Sequence, residues 1–177
     1  MTGKPFDQLI TIDTHSRYNL LVRARRDGRW WMLKGLLPEH SGDPVMHELL
    51  RKEFNMGMML RHQGIVGFVS LERVPQLGGE EFIVQEWIEG ATLKQWLTGD
   101  HSWREKLNVL LQLSDVLDYC HRMNVVHRDI KPSNVMITPD DRAIIIDMGL
   151  AVAGNQTIFR APAGTKHYMA PEQKAEG

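Results

Sequence analysis

The stretch from Val125 to Asn134, VVHRDIKPSN, constrains this chain more than any other. An apolar pair runs into His127-Arg128-Asp129, so a buried segment delivers a carboxylate to a polar loop. Lys131 and Asn134 follow in the same loop. The run VMI (135–137) is strand-like, and Ala143–Ile146 makes a second apolar strand that ends on Asp147. Pro139-Asp140-Asp141 lies between them as a turn, so the two strands read as a hairpin. Such a hairpin gathers Asp129, Asn134 and Asp147 around one small volume.

Two acids, an amide and a lysine suit a triphosphate with magnesium. Magnesium takes hard oxygen ligands, often one or two protein groups plus phosphate oxygens. Asn134 Oδ1 and the Asp147 carboxylate supply such oxygens. Asp129 is placed to accept a hydroxyl proton, and Lys131 to balance charge on a transferring phosphoryl group.

The bulk numbers narrow the class. A chain of 177 residues suits one domain or one and a fraction. With 21 basic against 22 acidic residues, the charge gives no support for a nucleic-acid or membrane-surface partner. The single cysteine, Cys120, excludes an intrachain disulfide and suits a reducing compartment. It falls in a helical apolar pattern, which points to packing. MTGKPFDQLI lacks the apolar core of a signal peptide. No apolar run approaches the ~20 residues of a spanning helix, so the expected location is cytoplasmic.

Upstream, LITI, YNLLV and WWMLK read as strands, with a turn at Arg25-Arg26-Asp27-Gly28. A helix follows from Pro44 to about Arg61, with Asp43 as its cap and Pro44 in its first turn. Gly57 interrupts it, at a cost of roughly 1 kcal/mol relative to alanine. Gly64–Arg73 and Glu81–Trp87 read as two more strands, with Gly78-Gly79 between them. Trp103–Met123 is the clearest helix. Leu107, Leu110, Leu111, Ser114, Leu117 and His121 recur at three- and four-residue steps and give it one apolar face.

The phrase His127-Arg128-Asp129-Ile130-Lys131-Pro132-Ser133-Asn134 is followed by Asp147-Met148-Gly149 and then Ala170-Pro171-Glu172. This ordered set resembles the protein-kinase superfamily. Lysine two residues after the aspartate resembles the serine/threonine branch more than the tyrosine branch. The resemblance implies an α+β fold. Residues 1–85 would form an N-lobe of antiparallel sheet plus one helix, and residues 86–177 the hinge and a partial, mainly helical C-lobe. It implies ATP and Mg2+ as cofactors and a protein substrate.

Its residue roles carry over by position. Asp129 and Lys131 are the catalytic pair, and Asn134 and Asp147 the metal-holding pair. Lys34, in Trp31-Met32-Leu33-Lys34, resembles the strand lysine that contacts the α and β phosphates and pairs with a helix glutamate. A lysine flanked by apolar residues is otherwise a snorkelling surface cation. Glu53 is the better partner for it and Glu48 the alternative. QEWIEGATLKQWL resembles the hinge, with Gln85 as gatekeeper and the Glu86 carbonyl and Ile88 amide on the adenine edge. Met136 is also an ATP-binding position, and Thr92 sits at the ribose. In Gly164 to Glu172, Thr165 would contact Asp129 and Lys131 as part of the substrate platform. Arg128 is a cation to which phosphate on Thr157 is one candidate partner, with an ordinary loop threonine as the other reading. Gly57 stands where the family carries an apolar side chain, so the helix is expected to be mobile.

Three departures set limits. Asp13-Thr14-His15-Ser16-Arg17-Tyr18 stands where glycines would let backbone approach phosphates, and weaker ATP affinity is expected. Met32 replaces the small residue that roofs the adenine. The chain ends at Gly177, where the family continues with further helices. A partner or a missing C-terminal segment is therefore expected to complete the C-lobe. The competing reading is a pseudokinase or truncated kinase-like scaffold with little catalysis.

Overall fold

The computed structural model describes residues 4–13, 16–154 and 164–174. The chain divides into two compact units. The first comprises residues 1–58 and 67–87, and the second residues 59–66 and 88–177.

The first unit is built on an antiparallel sheet. Its strands are β1 (Gln8–Ile12), β2 (Asn19–Arg26), β3 (Arg29–Leu36), β4 (Phe68–Val74) and β5 (Glu80–Glu86), in the spatial order β1-β2-β3-β5-β4. Asp27 and Gly28 join β2 to β3 with φ of 53° and 76°, the positive values that a two-residue hairpin turn requires. Phe6, Val22, Ala24, Leu33, Val74, Phe82 and Val84 form a core on one face of this sheet. Alternation places Lys34, Ile83 and Gln85 on the other face. Helix α1 (Pro44–Met59) begins where Asp43 Oδ1 accepts the Val45 N–H at 2.8 Å.

The strand expected over Gly64–Arg73 begins only at Phe68. Residues 64–66 instead lie along the second unit, where Val66 N donates to Ile145 O and Ile145 N to Gly64 O. A backbone pairing outside the local alternation decided this, and no periodicity reports such a partner.

In the second unit, β6 (Ala91–Thr92) and helix α2 (Leu93–Trp96) precede helix α3 (Trp103–Arg122). Strands β7 (Val125–Val126), β8 (Val135–Ile137), β9 (Ala143–Ile145) and β10 (Val152–Ala153) and helix α4 (Pro171–Lys174) follow. β8 and β9 are the expected hairpin, with Val135 opposite Ile145. Gln112 of α3 clamps its turn, donating to Asp141 O at 2.8 Å and accepting from Ala143 N at 2.9 Å. β10 returns to pair with β7, so the chain beyond Asp147 is anchored beside the strand that leads into His127.

The apolar face expected for α3 is not the buried one. Val109, Leu113, Val116 and Cys120 are buried, whereas Leu110 and Leu111 are 54% and 61% exposed. Helical spacing fits both stripes, because apolar residues run along two faces of this helix. Cys120 is fully buried and free, as its pattern suggests.

Among the described residues no helix is long and apolar enough to cross a membrane.

Candidate active site

In the first unit, β3 and α1 bring two charges together. Lys34 Nζ donates to Glu53 Oε1 at 2.6 Å, with both side chains buried. Glu48 lies exposed on the same helix. Burial makes this pairing obligatory, since an isolated buried ion is far more costly than a paired one. On the next strand, Gln85 is 3% exposed and its Nε2 has no hydrogen-bond partner among the described residues. Met32 faces Gln85 across the β3–β5 ladder, and Trp31 faces Glu86.

In the second unit, the loop after β7 holds a denser cluster. Asp129 Oδ1 accepts the Thr165 N–H and the Thr165 hydroxyl, each at 2.9 Å. Asp129 Oδ2 accepts Asn134 Nδ2 at 3.1 Å and pairs with Lys131 Nζ at 2.7 Å. Lys131 also donates to Thr165 Oγ1 at 2.7 Å. A carboxylate offers about four lone-pair sites, and these four donors fill them. Burial alone would raise the Asp129 pKa. The bonds from Lys131 and Thr165 outweigh it and hold the carboxyl below its ordinary value.

Local backbone fixes this arrangement. Arg128 has a φ of 68°, a left-handed value uncommon outside glycine and often found at functional sites. Gly164 has a φ of 131°, and a Cβ there would lie 3.0 Å from the Arg128 carbonyl oxygen. Only glycine lets the chain press Thr165 onto Asp129 this way. Gln173 of α4 secures the same junction, donating to Arg128 O at 2.8 Å and accepting from Ala170 N at 3.1 Å. Sequence reasoning missed Gln173. The glycine immediately before Thr165 was the available signal for a close approach.

His127 is 2% exposed, and its Nδ1 accepts the Asp129 N–H at 3.3 Å. An acceptor Nδ1 leaves the proton on Nε2. Burial lowers its pKa, opposed by the neighbouring Asp147 and Asp129 charges. Asp147 Oδ1 accepts from Gly149 N at 2.9 Å, closing a tight turn after β9.

The donor set suits magnesium. Asn134 spends its Nδ2 on the Asp129 carbonyl and carboxylate, so its Oδ1 stays available as a hard ligand beside the Asp147 carboxylate. Among the described residues no group of three or more His, Cys, Asp or Glu converges on a metal site. The protein oxygens therefore fit an ion that takes most of its ligands from phosphate or water.

The remaining expected positions are placed as follows. Glu86 ends β5 and Ile88 follows in the next unit. Met136 lies on β8 opposite Thr92 and Ile144. Thr92, expected at the ribose, uses its hydroxyl to cap α2 through Gln95. Thr157 lies outside the described residues.

The protein kinase domain family matches residues 20–174. The chain belongs to that family. It is 36% identical over 160 residues to the serine/threonine-protein kinase PknA of Mycobacterium tuberculosis, covering 84% of this chain and 36% of that protein. It is 32% identical over 154 residues to the serine/threonine-protein kinase PrkC of Bacillus subtilis, covering 82% and 23%. The serine/threonine-protein kinase cds1 of Schizosaccharomyces pombe is 33% identical over 153 residues, covering 82% and 33%. The chain thus spans little more than a third of the length of these curated relatives at most. Its antiparallel five-stranded sheet with one helix is the N-lobe of a kinase domain, and the second unit supplies part of a C-lobe.

Proposed function

We propose that this chain carries the catalytic core of a serine/threonine protein kinase, transferring the γ-phosphoryl group of ATP to a protein hydroxyl. The observation that carries the reading is the Asp129 carboxylate held by Thr165, Lys131 and Asn134. A carboxylate fixed from four directions is pre-organised, and phosphoryl transfer is mostly positioning and electrostatic stabilisation.

Asp129 orients the substrate hydroxyl and takes its proton as the new oxygen–phosphorus bond forms and the bond to the ADP oxygen breaks. Its acceptor sites are filled at rest, so one must be vacated first. Lys131 is the donor able to move. Turning from Asp129 Oδ2 to the phosphoryl oxygens, it frees a lone pair for the hydroxyl and neutralises charge on the group in transit. Asn134 and Asp147 would hold Mg2+, which supplies charge neutralisation on the phosphates. Lys34, kept extended by Glu53, binds the α and β phosphates. The Glu86 carbonyl, the Ile88 amide and Met136 bind the adenine, and the buried Gln85 amide favours an acceptor on the ligand. Thr165 belongs to the protein-substrate platform, and phosphate on Thr157 would pair with Arg128. The free buried cysteine accords with a cytoplasmic setting.

A second reading, a nucleotide-binding scaffold with little turnover, is favoured by the segment from Asp13 to Tyr18, which lacks the glycines of a phosphate-binding loop. One experiment separates the two. ATP binding with magnesium is followed by thermal shift, and phosphotransfer to a generic protein substrate by radiolabel, for the wild type and Asp129→Ala. The kinase reading expects transfer that Asp129→Ala abolishes while the ATP-induced shift persists. A shift without transfer in the wild type selects the scaffold.

A further inference from the structure

Gly57 lies one turn after Glu53 on α1, and the sequence gives no reason for a glycine in mid-helix. The structure supplies one. A Cβ built on Gly57 would lie 2.3–2.4 Å from Cδ2, Cε2 and Cγ of Phe68. The aromatic ring therefore rests directly on the helix backbone. Phe68 is 2% exposed, and the near end of its ring is among the contacting atoms, so it cannot swing aside cheaply.

Phe68 reaches the helix because of an irregularity in its strand. It pairs with Gln85, but Ser70 pairs with Val84, so Val69 is an extra residue between them. Such a bulge bends the strand and re-aims a side chain. A slip of one residue moves side chains to the other face of a sheet. Without the bulge, Phe68 would share the face of Ser70, which is that of Val84 and the apolar core. With it, Phe68 shares the face of Gln85 and Lys34. The contacts then close a circuit. Lys34 on β3 is opposite Ile83 on β5, and Gln85 on β5 is opposite Phe68 on β4. Phe68 seats on Gly57 of α1, and Glu53 of α1 returns to Lys34 at 2.6 Å.

We infer that Phe68 is a positioning residue for the Lys34–Glu53 pair, and that Gly57 is the notch that receives it. The ring sets how closely α1 approaches the sheet. A helix moves as a rigid rod over one turn, so a shift forced at Gly57 is carried to Glu53. The contact acts through the ion pair and touches no substrate. Its kinetic consequence rests on the kinase reading, but its effect on the pair does not.

The test uses Gly57→Ala, Phe68→Leu and the double variant in the full chain. Reductive methylation of Lys34, quantified by peptide mass spectrometry against exposed Lys94, reads the pair without nucleotide or turnover. Alanine is the better helix former, so any loss in Gly57→Ala reports the contact and not the helix. The proposal expects Lys34 in Gly57→Ala to react about tenfold faster, the signature of a broken pair worth about one decade. kcat/KM for ATP should fall up to about a hundredfold, as for a misplacement of about 1 Å. The smaller leucine makes room for the new methyl, so the double variant should recover most of both. Phe68→Leu alone leaves the notch underfilled and should raise Lys34 reactivity by a smaller factor. Unchanged Lys34 reactivity in Gly57→Ala overturns the proposal, as does a double variant no better than Gly57→Ala. Should Gly57→Ala fail to fold, unchanged reactivity in Phe68→Leu overturns it equally. A chain without phosphotransfer activity that still shows the reactivity pattern sinks the kinase reading and leaves this one standing.

Discussion

Lys34 and Glu53 meet at 2.6 Å across nineteen residues of chain, each side chain less than a tenth exposed. Neither charge has an adequate substitute for water except the other. Removing one partner from such a pair costs about 3–5 kcal/mol, because the survivor is left buried and uncompensated. Glu53→Gln and Lys34→Met should each destabilise the fold by about that amount in urea unfolding at neutral pH. The double replacement Lys34→Met/Glu53→Leu leaves no buried charge and should recover most of the loss. It should remain inactive, which separates the pair's role in chemistry from its role in folding. Additive losses in the double variant would show that the two charges do not depend on each other.

Burial holds His127 below the ordinary histidine range, with the nearby carboxylates of Asp147 and Asp129 opposing. The folded state therefore keeps the ring neutral at a pH where the unfolded chain, near its ordinary value of about 6.5, takes up a proton. More protons on the unfolded state means stability falls as pH falls. Full stability from this group is present above about pH 6.5 and is lost on acidification toward its lower folded value. Urea unfolding at a series of pH values from neutral to mildly acidic should show this decline, and it should be shallower in His127→Gln. Asp129 acts in a separate, more acidic window. Its lowered carboxyl contributes stability above about pH 4 and loses it as pH falls through the folded value.

The catalytic loop was legible because its chemistry is local. Asp129, Lys131 and Asn134 fall within six residues, and their hydrogen bonds close within that same loop. Thr165 was reachable only through resemblance, since thirty-six residues separate it from the carboxylate it caps. Periodicity failed on α3. Val109, Leu113, Val116 and Cys120 are spaced as regularly as Leu107, Leu110, Leu111 and Leu117, and spacing does not say which stripe meets a neighbour. What decides is the partner. Val116 lies where a side chain on Gly64 would collide with it, and Gln112 reaches the hairpin turn. Gly57 was legible as an anomaly but not as a contact, because the ring that explains it is aimed by a bulge in a distant strand.

The leucine face of α3 carries its own consequence. Trp103, Leu107, Leu110 and Leu111 are all exposed, and clustered apolar surface drives association in water. Leu110→Lys together with Leu111→Glu should shift the chain toward monomer in size-exclusion chromatography with light scattering. Each exposed change should alter stability by no more than about 0.5 kcal/mol. A large loss of stability would mean that these leucines are packed in solution.

Thr165 joins the base to the lysine through one hydroxyl, which donates to Asp129 Oδ1 and accepts from Lys131 Nζ. Thr165→Val keeps the shape, removes both of those bonds and leaves the backbone N–H bond to Asp129 in place. The Asp129 pKa should rise toward its ordinary value, because the hydroxyl is among the groups that lower it. Carbon-detected NMR titration of the Asp129 carboxyl reads this directly. Lys131 loses its second anchor, so phosphotransfer should fall about ten- to a hundredfold in kcat while the KM for ATP changes little. Thr165→Ser restores the hydroxyl and should restore both readings. A carboxyl that titrates unchanged in Thr165→Val would show that Lys131 and the backbone amide alone hold Asp129 in its ionised form.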